Sequence, residues 1–281
     1  MILNSDISVV VCVKNEESRI EGCLKSIITN HPSEIIVVDG DSSDRTAEIA
    51  LKYTDKVIIS RKSNLTRDRQ IGIDSAKNDL IAMIDADHRL DEDSLQGLLH
   101  DLNNHNYDIV QSQLASYKNN NYWNAAEEDA WNLTHNIPGE KTMIGVAPAI
   151  YKRSLFSEVK FDDDITKTID DTDFIYRLSK IKTIKIGIGE TKIKQLHFGS
   201  FLDYKKKFKW YGIGDSEFCR KHPNRLFSMF YHLLFRYPVI YSTKALFRRR
   251  FKVIPFFILQ GYIRFYWLIV GMLSAKYDRG K

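Results

Sequence analysis

The chain has 281 residues, 43% of them hydrophobic, enough to bury a substantial core without disulfides or a structural metal. Its three cysteines, Cys12, Cys23 and Cys219, stand singly, which excludes a disulfide framework and a cysteine-rich zinc cluster and fits a reducing cytoplasm. The net charge of +5 is gathered late, in Lys205, Lys206, Lys207 and Lys209 and again in Arg248, Arg249, Arg250 and Lys252. Such a region suits a phosphate-bearing partner or an anionic membrane surface, and with no nucleic-acid-binding motif present, nucleic acid is not expected as a partner.

The first apolar run, residues 7–13, is too short and too β-branched for a signal peptide, so the sequence predicts a protein that is not exported. Residues 8–13, 34–39, 56–60 and 79–85 read as buried strands separated by helical stretches. That alternation predicts βαβ units and a largely parallel sheet covered on both faces, in which ligands bind beyond the carboxyl ends of the strands. Asp39, Asp85 and Asp87 fall at or just after such ends.

From about residue 110 to 200 the pattern loosens, with an aromatic helix at 123–131 and a strand at 145–151 that is expected to run antiparallel and complete a cleft. The segment from about residue 224 is rich in Phe, Tyr, Leu and Ile. Residues 253–273 approach the length of a bilayer span, but Pro255, Gln260 and Arg264 interrupt it. An Arg near the middle of a span costs about 2.5–3.5 kcal/mol on insertion scales. The expectation is therefore an interfacial helix or hairpin with Arg264 and the Arg248 cluster at headgroup level; the alternative is a helix packed on the catalytic domain or on a second copy.

Four constellations carry chemistry. Residues 81–87, IAMIDAD, are an apolar strand ending in carboxylates two residues apart, which extended geometry puts on one face, so that both reach one cation such as Mg²⁺ or Mn²⁺. Residues 35–46, IIVVDGDSSDRT, stop a buried strand at Asp39, which can accept from a nucleobase ring N–H, though the stretch reads equally as a helix-capping turn. Asp170, Asp171 and Asp173 open an amphipathic helix, where a carboxylate serves either as an ordinary cap or as a general base for a hydroxyl. His197 follows a β-patterned stretch and is a candidate metal ligand if the chain folds it back toward Asp87.

Taken in order over roughly residues 6–215, these motifs resemble glycosyltransferase family 2. The resemblance implies a GT-A fold: a Rossmann-like mixed sheet flanked by helices, here with a C-terminal helical, apolar extension. Residues 9–17, VVVCVKNEE, are similar to the family's first strand and turn, which implies Val13, Asn15 and Glu16 at the nucleoside. Residues 36–46 match its "VVDDGSTDGT" turn, with Asp39 retained for the base contact and Gly40-Asp41 in place of Asp-Gly. Residues 68–73, DRQIGI, resemble "ARNxGI" and imply Arg69 near the diphosphate or the carboxylates, with Asp68 and Gln70 as departures. The match implies Asp85 on the donor, Asp87 on the metal and His88 where another acid is common. Asp170-Asp171 replaces the usual Glu-Asp pair, implying Asp171 as base with Asp170 beside it, and His197 corresponds to the late metal-approaching His. The Q-x-x-R-W of processive synthases survives only as Lys206-Lys-Phe-Lys209-Trp210, which favours transfer of a single sugar.

The resemblance therefore implies an inverting, metal-dependent glycosyltransferase that moves one sugar from a nucleoside-diphosphate sugar, a UDP-sugar favoured, to a glycan or polyprenyl-linked acceptor. The expected division is 1–215 for catalysis, with halves meeting near residue 110, and 216–281 for association with the cytoplasmic face of the membrane, peripheral or monotopic, or for homo-oligomerisation. Two competitors are weighed against it. A nucleotidyltransferase needs a Gly-rich basic loop after the first strand, where this chain has Lys14-Asn-Glu-Glu; a non-catalytic nucleotide-sugar-binding membrane protein would not need Asp85, Asp87 and Asp171 together.

Overall fold

The first strand, β1 (Ile7–Val13), is buried along almost its whole length. Val9, Val11 and Val13 enter one core with helix residues Ile20, Leu24, Leu95 and Leu98, whereas Val10 enters a second with Ile73, Phe174 and Leu178. A strand apolar on both faces belongs at the centre of a sheet covered by helices on both sides. In the computed structural model, which describes residues 6–61, 64–117, 121–196 and 199–278, that is where it lies.

The remaining strands are β2 (Glu34–Asp39), β3 (Val57–Ile59), β4 (Leu80–Met83), β5 (His88–Arg89), β6 (Ile109–Ser116), β7 (Gly139–Lys141), β8 (Ala149–Lys152) and β9 (Ile186–Gln195). They form one sheet in the order β3-β2-β1-β4-β8-β6-β9-β5, with β7 also paired to β9. Strands β3, β2, β1 and β4 are parallel. The expected antiparallel strand is β8, between β4 and β6. The helices of the first part are α1 (Ile20–Ile28), α2 (Thr46–Ala50), α3 (Leu65–Ser75) and α4 (Ser94–Asn104), followed by α5 (Tyr122–Thr134), α6 (Leu155–Glu158) and α7 (Asp170–Ile181). Last come α8 (Phe201–Lys221), α9 (Leu226–Tyr231), a π-helical segment (His232–Tyr241), α10 (Ser242–Phe247) and α11 (Val253–Asp278).

The chain divides into two units, one of Met1–Tyr117, Pro138–Asp163 and Asp170–Leu196, the other of Lys118–Ile137, Asp164–Ile169 and His197–Lys281. The first holds the sheet with α1 to α4, α6 and α7. The second has its own core, in which Ala126 and Ala130 of α5, Tyr204 and Phe208 of α8, and Phe256 and Phe257 of α11 meet.

Within that second unit the expectation for Arg264 is corrected. Rather than reaching headgroup level, Arg264 is buried, and its Nε and Nη2 donate to Asp215 of α8 at 2.9 and 2.7 Å. The rings of Tyr211 and Tyr237 stand 5.2 and 5.6 Å from its guanidinium carbon. A fully charged group leaves water only with an opposite charge and donors satisfied, and Asp215 supplies both.

Candidate active site

Parallel register puts Val13 beside Asp39 at the carboxyl ends of β1 and β2. The two loops that follow are locked together. Asn15, in the left-handed region at φ 55, donates its backbone N–H to Ser42 Oγ at 2.8 Å and accepts the Ser43 N–H on Oδ1 at 2.8 Å. The Glu16 N–H donates to Thr46 Oγ1, also at 2.8 Å. Asp41 takes φ 60, a conformation tolerated by Asp, so the swap of Gly40 and Asp41 relative to the family pattern leaves the turn intact.

Asp39 is fully buried; Oδ1 accepts the Ser42 N–H at 2.7 Å, while Oδ2 has no hydrogen-bond partner among the described residues. A buried carboxylate oxygen without a donor is costly, and a ring N–H from a base would satisfy it.

Strand β4 ends at Met83, and the two carboxylates beyond it converge by a different route from the extended one expected. The His88 N–H donates to the Asp85 carbonyl at 3.0 Å, closing a turn over residues 85–88. Ligand atoms of Asp85, Asp87 and His88 then lie within 4.8 Å of one another. Asp87 is braced from β9: Gln195 Nε2 donates to its Oδ2 at 2.8 Å and the Leu196 N–H to its carbonyl at 2.8 Å. His88 is buried and its Nδ1 accepts the Asp85 N–H at 3.0 Å, so in the neutral ring Nε2 carries the hydrogen, 3.8 Å from Asp87 Oδ1. In that tautomer His88 holds the backbone of the acidic turn through Nδ1 and offers no lone pair on Nε2. Burial raises the Glu16 carboxyl pKa; Arg19 opposes the rise, and the charges of Asp87 and Asp85 add to it. A donor set of two hard carboxylates among like charges fits Mg²⁺ or Mn²⁺, and Asp85 and Asp87 are the residues that could hold it. His197 lies outside the described residues.

Arg69 joins this acidic turn to the head of α7. It is buried on α3, where Gly72 allows the close approach: a Cβ there would stand 2.3 Å from Val10 of β1. One Arg69 nitrogen, Nη1, donates to Asp170 and the other, Nη2, lies 3.6 Å from Asp85 Oδ1. Burial works against its charge, and Asp170 and Asp85 outweigh that to keep the guanidinium protonated. Gln70, a departure from the family pattern, accepts the Phe161 N–H at 3.0 Å and so has a structural use.

Asp171 follows on α7. Its pKa is raised to about 6, first by burial and then by the Asp170 charge, against the Thr172 N–H and Arg69, which lower it. A carboxyl poised there is suited to take a proton near neutrality. Ile169, immediately before the pair, holds φ 69, a strained conformation for a β-branched residue that functional sites tend to retain. Neither Gln195 nor Ile169 was singled out from sequence; nothing local marks a Gln in a strand or an Ile before a helix.

The sheet order, with parallel nucleotide-side strands, an inserted antiparallel strand and an acidic turn after β4, is that of a GT-A glycosyltransferase. The model of Glycosyl transferase family 2 matches residues 8–183, and the chain belongs to that family, a family of transferase enzymes. An uncharacterized glycosyltransferase of Rickettsia bellii is 35% identical over 92 residues, covering 33% of this chain and 31% of the relative. The cholesterol galactosyltransferase of Borreliella burgdorferi is 30% identical over 118 residues, 40% of this chain and 33% of its own. Glycosyltransferase GlyA of Streptococcus pneumoniae is 23% identical over 185 residues, 58% of this chain and 26% of its own. The matches thus span only about a quarter to a third of these relatives. The structure of S. aureus TarS 1-349 in complex with UDP-GlcNAc superposes with a TM-score of 0.56 at 15% identity, covering 98% of this chain and 92% of that one, a likeness of fold.

Proposed function

We propose that this chain transfers a single sugar, with inversion, from a nucleoside-diphosphate sugar to a glycan or lipid-linked acceptor at the cytoplasmic face of a membrane, in cell-surface glycan or glycoprotein synthesis. The observation that carries the reading is Arg69, which ties the acidic turn after β4 to the acids opening α7. Holding a donor-side and an acceptor-side carboxylate group on one buried cation supports the fixed geometry from which a single displacement benefits.

In this reading Val13, Asn15 and Glu16 line the nucleoside. Asp39 accepts a ring N–H of the base through Oδ2, an arrangement that suits uracil as it does other bases with such an N–H, and a UDP-sugar is the favoured donor. Asp85 and Asp87, with His197 as a further ligand, would hold Mg²⁺ or Mn²⁺. When bound, that ion neutralises charge on the departing diphosphate. Asp171 takes the proton of the acceptor hydroxyl, and Arg69 holds Asp170 in place beside it. Attack comes from the face opposite the leaving group, so the anomeric configuration inverts. Residues 1–215 carry the transfer; residues 216–281 meet the membrane or a second copy.

The test is a panel of nucleotide sugars scored by thermal stabilisation with and without Mn²⁺. A UDP-sugar should raise the midpoint only with the metal, since ligand at a hundredfold excess over its dissociation constant adds about 2.7 kcal/mol. Equal stabilisation after chelation, or none by any nucleotide sugar, rejects the proposal.

A further inference from the structure

Among the described residues, helix α11 is the one segment long and apolar enough to cross a bilayer, over Val253–Ser274. Yet α8 grips it on one face at three levels. Tyr204 Oη donates to the Phe256 carbonyl at 2.6 Å, Asp215 takes Arg264, and Arg220 Nη1 donates to the Gly271 carbonyl at 2.8 Å. Gly212 allows the approach, for a Cβ there would stand 2.5 Å from the Arg264 carbonyl. Helix α8 carries exposed Lys205, Lys206 and Lys209, so it cannot follow α11 into hydrocarbon. Helix α11 is thus a strut held along one face by α8, with Tyr262, Tyr266 and Leu273 exposed on its other side.

The apolar surface left open lies elsewhere in the same unit. The junction residues His232 and Ser242 keep helical angles, so α9, the π segment and α10 form one rod from Leu226 to Phe247. The wide turns of the π segment accommodate Pro238, which has no N–H to give the ladder. On the inner side Leu233, Pro238 and Ala245 are buried. The outer side is also apolar: Phe227 is 85% exposed, Tyr231 50% and Phe235 48%, a stripe at four-residue spacing, and Val239, Leu246 and Phe247 extend it. Phe227, Phe230, Tyr231, Leu234 and Phe235 line an open depression of about 410 Å³. At the end of the rod, exposed Phe247 and Phe251 flank Arg248, Arg249 and Arg250, the last paired with Asp129, and Lys252 follows. Aromatic side chains beside a run of cations match an anionic interface, with rings at the acyl boundary and cations among headgroups.

We infer that the rod Leu226–Phe247 and the basic turn after it are the surface that docks this protein on an anionic lipid bilayer, and that α11 neither spans nor leads the insertion. The inference rests on the membrane reading above and names the element and the lipid chemistry.

The full chain is floated with vesicles of phosphatidylcholine alone or mixed with phosphatidylglycerol. Wild type should partition at least about tenfold more strongly onto the anionic vesicles, falling by roughly fivefold for each of Arg248→Gln and Arg249→Gln. The triple variant F227S/Y231S/F235S, all at exposed positions, should lose at least about tenfold in partition with its far-ultraviolet circular dichroism unchanged. Variant Y262S/Y266S, on the exposed side of α11, should bind as wild type. Triple-variant binding equal to wild type, or loss confined to the α11 variant, overturns the inference while leaving membrane association standing. Equal binding to both vesicle types overturns the lipid class. A wild-type dimer that the triple variant dissolves, with neither protein floating, assigns the surface to a second copy and overturns it too. Wild type that floats with neither vesicle and stays monomeric removes the membrane reading itself.

Discussion

Arg69 and Asp170 form a buried ion pair across 101 residues of sequence, and the same guanidinium reaches to within 3.6 Å of Asp85. Removing one member strands a charge in the interior, which costs about 3–5 kcal/mol. Arg69→Met should therefore lower the unfolding free energy by about that much and abolish donor turnover. The double variant R69M/D170L should recover most of the stability and none of the turnover. Chemical denaturation beside a nucleoside-diphosphate release assay separates the two effects.

For Asp171 the sign of the pH effect follows from a carboxyl raised to about 6 from an ordinary value near 3.8. Below the ordinary value both folded and unfolded states hold the proton, and the stabilisation is fully present. As pH rises through about 6 the folded state must ionise a partly buried acid beside Asp170, and that contribution is lost. Activity runs the other way, because a base works only when ionised. The profile of kcat/KM should show an acid limb near 6, and Asp171→Asn should remove turnover while stabilising the fold at alkaline pH by about 1–2 kcal/mol.

Gln195 braces Asp87 from β9, 108 residues away. Gln195→Leu should raise the Mn²⁺ concentration needed for half-maximal turnover by about tenfold or more and leave turnover at saturating metal nearly unchanged. Metal titrations at fixed donor distinguish this from a folding defect, which would lower the plateau.

In the second unit Arg264→Ala should destabilise by about 3–5 kcal/mol, because Asp215 is left charged and buried. R264M/D215L should be close to neutral, and calorimetric midpoints of the single and double variants check it. A protein that used Arg264 at a headgroup would tolerate the single change.

Much of the donor side is legible in the sequence because its strands are central. Strands β1 and β2 are buried on both faces, so they read as unbroken apolar runs, and the residue where each run stops, Val13 or Asp39, marks the sheet's ligand-bearing edge. The pairings beyond are harder to read. Strand β6 carries Gln111, Ser112 and Gln113, all buried and polar, and satisfies them through specific partners; Gln111 accepts the Gly145 N–H at 2.8 Å, and Gln113 donates to the Gly189 carbonyl at 3.1 Å. No periodicity announces such contacts. The two-residue strand β5 exists only because β9 pairs with it. Arg264 looked like a polar interruption because its partner, Asp215, sits 49 residues earlier on a helix with no outward sign of receiving it.

The central claim is that the acids after β4 and the acids opening α7 serve one reaction centre, and a double-mutant cycle on donor turnover tests it most directly. Nucleoside-diphosphate release is measured for wild type, Asp87→Asn, Asp171→Asn and the pair, with Mn²⁺, a UDP-sugar and a membrane-lipid extract as acceptor. Each single variant should lose about a hundredfold or more, and the double variant should lose little beyond the worse single one, as groups acting in one step do. Single variants that turn over like wild type, or losses that multiply as at independent sites, would contradict the account.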